Sequence, residues 1–566
     1  MDTESRITPD RAVLVGSMLA ALAYFQDVRY DFILDDISLI LLNENIASWR
    51  NWKTAFVHQI FDGKALTVPV VSAAVHYRPV YKLWQMLNEH VFGSIPPWWH
   101  FTSLLLHIVV TLLVYQVGIK LVRDRWTAAL AALLFAFHPI HVESVAYITA
   151  STDLLVALFA LISFLAYFRF REEGGSLAYF FVSVIAAALA MMSKETAVMF
   201  PWLLVSYEAL RESRPGLQPA WKRFAWTLPF FAVVGAYIGA RALLFGLNDG
   251  PGPGGNRIKA LLDIPLVLVT YLHLLLWPFR LSFYYPSEWS SQWTVLKGVE
   301  AALAVGVAIF LWNRYRDRSG IRLQIVWTAI LFVPALLGVY AFVREDWIHD
   351  RHMYLVSVPL CLIAATLLTD SRWPAKASVI ASSLVLALLL FETAIQLPRF
   401  SDDATIYAAS LEVAPRSLLA HTYFARALWL YGRHEEGLRE FKISTELAPQ
   451  SWRTHEGYAT ALAEEGRSQD AIIEYDIALQ WTPGPTRFRA FLLYELGSVE
   501  LKCSEYPEAT SHLTEAVQIA PESLNYHSLL VLALTREGRI KEADEETKLE
   551  ASVRQRFVQD HPDTRN

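Results

Sequence analysis

Long apolar blocks fill the first 400 residues of the chain and then give way to a polar, periodic tail. The blocks fall at 12–26, 98–120, 126–147, 152–170, 177–193, 196–210, 224–245, 261–280, 295–313, 323–343, 353–370 and 376–396. A helix needs about 20 apolar residues to cross a bilayer, and most of these blocks reach that length; those near 12, 177 and 196 are short. A segment in lipid must satisfy its own backbone, so each block is expected to be a helix. The predicted fold class is all-α, with a polytopic membrane domain of about 11–13 spans over residues 1–397. Arg6 and Arg11 precede the first block, and Ala21-Leu22-Ala23 has the look of a cleavage site. An uncleaved anchor is favoured there, with a signal peptide as the alternative.

Lysine and arginine in the short connectors orient the spans. Lys120, Arg123 and Arg125 lie between the second and third blocks. Arg169 and Arg171 follow the fourth, and Arg211, Arg214, Lys222 and Arg223 the sixth. Arg314, Arg316, Arg318 and Arg322 follow the ninth, and Arg372 and Lys376 precede the last. With these in the cytoplasm, the loops 27–97, 138–152, 193–195, 246–260 and 344–352 and the tail lie outside. An even number of full crossings breaks that scheme. The block 261–280, which contains Pro265, His273 and Pro278, is therefore expected to be re-entrant or interfacial, the alternative being an extra span elsewhere. The long loop 27–97 carries Trp49, Trp52, Phe56 and Phe61 and is expected to form amphipathic helices on the membrane surface.

The tail repeats. Pro415, Pro449 and Pro483 recur every 34 residues, and Pro521 follows 38 later, across the Pro483-Gly484-Pro485 linker. Gly432-Arg433 recurs as Gly466-Arg467 and Gly538-Arg539. Phe441 recurs as Tyr475, and Ala471 as Ala509 and Ala543. A 34-residue helix-turn-helix period with this Gly, Ala and Pro pattern marks tetratricopeptide (TPR) repeats, which stack into an α-solenoid. The array is placed at 402–560, as a half repeat at 402–415 followed by about four units.

Composition narrows the function. Of 566 residues, 54% are hydrophobic, and the formal charge of −6 offers no basic face for nucleic acid. Two cysteines, Cys361 and Cys503, argue against a disulfide framework, and no Cys/His set has zinc spacing. Nineteen tryptophans suit aromatic belts at the membrane interface. Several ionisable groups share the outer face: Asp35 and Asp36, His138-Pro139-Ile140-His141-Val142-Glu143, Asp153, Lys194-Glu195 and Arg351-His352-Met353-Tyr354. Such groups are expensive at membrane depth and face polar cavities or pathways. An outer carboxylate suits a general base, and cations beside it suit a phosphate. Plainer roles stay open on the residues alone. The Asp-Asp pair reads equally as a helix cap, Lys194-Glu195 as a local ion pair, and Arg351 as an interfacial anchor. His107 and His273 read as inter-helix packing.

The residues carry a resemblance. Phe32-Ile33-Leu34-Asp35-Asp36, Tyr77-Arg78-Pro79-Val80, Phe137-His138-Pro139-Ile140-His141-Val142-Glu143-Ser144-Val145-Ala146, Ser151-Thr152-Asp153-Leu154-Leu155, Lys194-Glu195, Leu276-Trp277-Pro278 and Asp350-Arg351-His352-Met353-Tyr354-Leu355 occur in order ahead of TPRs. In this the chain resembles the transmembrane and TPR-containing O-mannosyltransferases of the GT-C superfamily. The resemblance implies a polyprenyl- or dolichyl-phosphate sugar donor, usually mannose, and transfer to a protein or glycan hydroxyl. It implies Asp35 or Asp36 as the base. It implies Arg351, His352 and Lys194 around the lipid phosphate, Arg78, His138, His141 and Glu143 shaping the cavity, and Glu195 among the substrate-binding residues. Ser151-Thr152 and His352 depart from the family's usual residues, which leaves the sugar and acceptor open.

The expectation is thus an integral-membrane glycosyltransferase whose outer TPRs recruit an acceptor or partner, with no nucleic acid involved. A bacterial cell membrane is expected from the short repeat array and the lack of a glycosylation sequon, with the endoplasmic reticulum as the alternative. The rivals are a non-catalytic TPR scaffold, an oligosaccharide ligase or polymerase using lipid-linked donors, and a lipid-carrier transporter. No dedicated metal site is expected, although two carboxylates and a phosphate would bind a magnesium ion weakly.

Overall fold

The computed structural model describes residues 8–60, 76–172, 175–211, 220–246, 257–316, 319–338, 346–370 and 372–560. Phe61, Arg214 and Arg318 lie outside the described residues, as does most of the loop 246–260. The chain divides into two compact units, Met1–Pro415 and Arg416–Asn566. Among the described residues both are built of helices and turns, with no strand.

In the first unit the apolar blocks become helices. Among the described residues seven are long and apolar enough to cross a membrane: Pro9–Arg29, Pro96–Val122, Ile148–Arg171, Lys222–Phe245, Val295–Arg314, Gly320–Leu337 and Ala375–Phe400. Leu177–Ser193, Leu261–Leu276 and Ser357–Leu368 are shorter apolar helices. The block 126–147 is not one helix. It breaks into Arg125–Ala136 and Pro139–Ala146, bent by 52°. The reason is local. Pro139 disfavours α geometry at the residue before it, so His138 is extended (φ −72°, ψ 121°) and its ring accepts the Ile140 amide at 3.2 Å. The block 261–280, expected to be the exception to full crossing, forms a helix that contains Pro265 and runs to Leu276.

Outward faces stay apolar where lipid would meet them. On Val295–Arg314, Leu296, Val299, Leu303, Val305, Val307, Ile309 and Phe310 are all exposed. One face of the first helix packs closely on the helix Arg125–Ala136: a Cβ on Gly16 would lie 2.1 Å from Leu133 Cδ2. In the long loop after the first span, a short 3-10 helix spans Trp49–Phe56 with Trp49 and Trp52 exposed, and Pro79–Phe92 is amphipathic, with Leu87 and Val91 on its open side.

The segment 402–415 belongs to the first unit. Asp402 caps the helix Asp403–Val413, and Tyr407 on that helix stacks on Tyr284 with centroids 6.3 Å apart and planes at 12°.

The second unit is four helix pairs: Leu418–Leu430 with His434–Leu447, Trp452–Glu464 with Ser468–Trp481, Arg487–Lys502 with Tyr506–Ile519, and Leu524–Glu537 with Ile540–Asp560. Gly432, Gly466 and Gly538 close three of the intra-pair turns in the left-handed region; the third pair uses Ser504 there (φ 64°). The arginine after each glycine pairs three residues on, Arg433 with Glu436, Arg467 with Asp470 and Arg539 with Glu542. Ala471, Ala509 and Ala543 are buried where the two helices of a pair cross. His421, His455 and His527 each reach a glutamate 19 residues on.

Candidate active site

The loop after the first span presents two adjacent carboxylates to different surroundings. Asp36 is fully buried. One of its oxygens accepts the Thr149 amide at 2.8 Å and the Thr149 hydroxyl at 2.6 Å; the other accepts the Ile33 amide at 3.3 Å. Burial pushes its pKa up to about 7, against the pull of those hydrogen bonds. Asp35 is open to solvent, and one of its oxygens accepts the Tyr147 hydroxyl at 3.0 Å. The protein around it raises its pKa by desolvation, while Tyr147 and Arg351 work in the opposite direction.

Three cation–carboxylate pairs surround this loop, each joining parts of the chain far apart in sequence. Arg78 forks onto Glu195, Nε to Oε2 at 2.9 Å and Nη2 to Oε1 at 2.6 Å. Lys194 Nζ lies 2.8 and 2.7 Å from the two oxygens of Asp153. Arg351 bonds Glu143 through its guanidinium and through its backbone amide, the latter at 3.0 Å. The pairs also feel one another. Burial lowers the Lys194 pKa, Asp153 opposes this, and Arg78 and Arg351 add to the lowering. His352 is driven well below its usual range by burial and by Lys194, Arg351, His349 and Arg78. It holds the Tyr271 hydroxyl at 3.0 Å.

Solvent reaches parts of this cluster. The Glu195 side chain is 44% exposed and Arg351 20%, against 1% for Glu143. The Arg351 guanidinium lies over the rings of Tyr147 and Phe283, at 5.9 and 5.8 Å, so Arg351 and Asp35 share Tyr147 as a neighbour. Phosphate affinity needs such convergent cations, and a hydroxyl nucleophile needs an accessible carboxylate.

Of the residues singled out in the sequence, Asp35, Arg78, Glu143, Lys194, Glu195, Arg351 and His352 converge here. His138 and His141 sit deeper. His138 uses its ring on the Leu275 carbonyl (3.0 Å) and the Ile140 amide, and His141 is enclosed by Phe135 and Tyr354 with Nε2 on Ser357 Oγ at 2.9 Å. The sequence reading passed over Tyr147 and Thr149, which hold the two aspartates, and over His349, which bridges Asp346 (2.9 Å) toward Glu143 (3.6 Å). Tyr147 and Thr149 flank the start of the helix Ser151–Arg171 next to the quoted motif, and that adjacency was the available signal. Among the described residues no group of three or more His, Cys, Asp or Glu is arranged to hold a metal ion.

Residues 78–235 match the family model described as dolichyl-phosphate-mannose-protein mannosyltransferase. The span takes in Arg78, Glu143, Asp153, Lys194 and Glu195. The chain is 30% identical over 210 residues to Protein O-mannosyl-transferase Tmtc2 of Drosophila melanogaster, covering 36% of this chain and 22% of that protein. It is 24% identical over 429 residues to Protein O-mannosyl-transferase F38B6.6 of Caenorhabditis elegans, covering 74% of this chain and 60% of that protein.

The chain is similar to these O-mannosyltransferases. It spans only part of the length of each relative: 22% of the fly protein and 60% of the nematode one. Among solved structures it is similar to the TPR protein YrrB, at 19% identity and a TM-score of 0.25, covering 26% of this chain and 75% of that one. A likeness that slight carries no weight beside the 34-residue period and the four helix pairs seen here.

Proposed function

We propose that the chain is an integral-membrane glycosyltransferase that moves a sugar, mannose in the first instance, from a polyprenyl- or dolichyl-phosphate donor to a protein hydroxyl on the non-cytoplasmic face. The observation that carries this reading is a solvent-open carboxylate, Asp35, that shares Tyr147 with the Arg351 guanidinium, while Arg351 and Arg78 both act electrostatically on Lys194. Asp35 takes the proton of the acceptor hydroxyl. The acceptor oxygen forms a bond to the anomeric carbon as the bond from that carbon to the phosphate oxygen breaks. The electron pair leaves with the lipid phosphate, which N–H donors of the three cations, those not taken up by their carboxylate partners, stabilise. One displacement of this kind inverts the anomeric centre. Asp36 has every incoming hydrogen bond committed to the Thr149 and Ile33 segments, so its role is to fix the loop. The four helix pairs of the second unit supply an extended surface on which an acceptor protein is recruited.

The test is transfer in proteoliposomes. Full-length protein receives radiolabelled polyprenyl-phosphate-mannose and a serine/threonine-rich peptide, beside Asp35→Asn and Asp36→Asn. Loss of transfer in a folded Asp35→Asn, with residual transfer in Asp36→Asn, supports the reading. Transfer untouched in Asp35→Asn removes it as the base. Wild-type protein inactive with mannose, glucose and galactose donors would favour a TPR scaffold.

A further inference from the structure

Leu34 directly precedes Asp35 and has a left-handed backbone (φ 54°), one of three non-glycine residues to do so among the described residues. A branched side chain is disfavoured there because its Cβ crowds the neighbouring carbonyl, so the surroundings must hold the conformation in place. The hold is visible. The Leu34 amide donates to Asp403 Oδ1 at 2.8 Å. Just upstream, the Asp31 amide donates to the Ser401 carbonyl at 3.3 Å.

Asp403 is available for this because its neighbour caps the helix. Asp402 accepts the Thr405 amide at 2.8 Å and the Thr405 hydroxyl at 2.7 Å, leaving the Asp403 carboxylate to reach sideways to the loop. The helix that carries Asp403 is fixed further along by the stacking of Tyr407 on Tyr284. Asp35 therefore stands between two anchors: Asp403 holds the residue before it, and Thr149 holds the residue after it. Burial raises the Asp403 carboxyl to about 6, the Leu34 amide opposes this, and the charges of Asp402 and Asp35 add to it, which again puts Asp35 within electrostatic reach.

We propose that Asp403 is a positioning residue for the transfer reaction: its carboxylate locks Leu34 in the left-handed conformation and thereby sets how Asp35 is presented. This rests on the reading of Asp35 as the base. It gives the helix ahead of the repeat unit a task in the chemistry of the first unit, one that a repeat-based reading of 402–415 does not contain.

The experiment uses the full chain in nanodiscs, as wild type, Asp403→Asn, Asp403→Ala, Leu34→Gly and the Leu34→Gly/Asp403→Ala double variant. The first readout is amide hydrogen exchange over peptides spanning residues 30–37, which does not depend on turnover. Asp403→Ala is expected to speed exchange there about tenfold or more, while the melting temperature of the protein stays near that of wild type. Asp403→Asn, whose amide oxygen still accepts from Leu34, is expected to exchange like wild type. The second readout is mannose transfer from polyprenyl-phosphate-mannose. Asp403→Ala is expected to lower kcat by about tenfold with little change in the donor KM, because it misplaces the base without touching the donor. Glycine adopts the left-handed region freely, so Leu34→Gly is expected to recover much of that loss in the double variant. Unchanged exchange in Asp403→Ala overturns the proposal. So does a loss of turnover that Leu34→Gly fails to relieve. Asp35→Asn, run alongside, separates the two readings. If it keeps full activity, the base assignment has failed; if it is inactive while Asp403→Ala turns over like wild type, only the positioning role has failed.

Discussion

The Tyr147 hydroxyl donates to Oδ2 of Asp35 across 3.0 Å, and Asp35 is exposed to solvent. A hydrogen bond to a carboxylate favours its charged form, so Tyr147 holds down a pKa that desolvation has pushed up. A general base works only when deprotonated. The acid limb of kcat/KM is therefore expected above the ordinary carboxylate value of 3.8. Tyr147→Phe removes the stabilising donor, raises the Asp35 pKa further, and should move that limb to higher pH by roughly one unit. The variant should lose activity chiefly on the acid side and approach wild type at pH 8. A pH–rate profile with the limb unmoved would separate Tyr147 from the base.

Lys194 and Asp153 form a pair with side chains only 7% and 10% exposed. Removing one partner leaves a buried charge unmatched, which typically costs about 3–5 kcal/mol. Lys194→Met should thus lower the thermal midpoint strongly and raise the donor KM together. Adding Asp153→Asn removes the stranded charge. The double variant should regain most of the stability and none of the donor affinity, if the lysine contacts the lipid phosphate. Thermal unfolding in detergent and a donor titration read the two effects separately. Recovery of both would mean that the pair is structural only.

The positive charge beside Asp35 comes from side chains. In the proposed reaction Arg78, Lys194 and Arg351, each already paired with a carboxylate, would turn their remaining N–H donors to the leaving phosphate without a metal. Transfer should then be insensitive to EDTA and to added magnesium or manganese. A rate that collapses on chelation and returns with one divalent cation would put part of this role on a metal. In that case Asp35 and the incoming phosphate are the ligands to examine.

The helices were legible in the chain because membrane spans and TPR units both impose long, regular patterns. The break at His138 was legible in principle from Pro139, but the block reads as apolar throughout, and apolarity does not reveal a bend. Asp35, Lys194 and Arg351 stood out as charged residues next to apolar runs, and Arg78 through the resemblance carried by Tyr77-Arg78-Pro79-Val80. How they pair did not: Arg78–Glu195 is a contact across 117 residues, and Arg351–Glu143 across 208. Nothing local encodes those pairings. Asp35 and Asp36 were inseparable in sequence because the two differ only in environment. The structure buries one against Thr149 and leaves the other open to solvent beside Tyr147. Asp403 sat inside a segment that the repeat period claimed, and a period says nothing about a side chain that reaches back to residue 34.

Gly497 lies in the third helix pair at the point where the first helix crosses the second. A Cβ added there would meet Leu513 Cγ at 2.7 Å, with Cδ2 at 3.1 Å and Cδ1 at 3.3 Å. Leu513 is fully buried and is held in the core by Leu530 and Leu534 of the next pair, so it has no open side to move into. Gly497→Ala must therefore push the two helices apart. Overpacking of this kind costs roughly 1–3 kcal/mol, more than the alanine gains in helix propensity. In a solenoid each unit leans only on its neighbours, so the damage should stay local. Hydrogen exchange is expected to speed up in 487–519 and in the facing helix 524–537, while 418–430 keeps its protection. Leu513→Ala on top of Gly497→Ala should relieve the clash, and the pair should be more stable than the sum of the two single losses. Additive losses, or exchange spread evenly over the array, would show that Gly497 does not mark a close crossing.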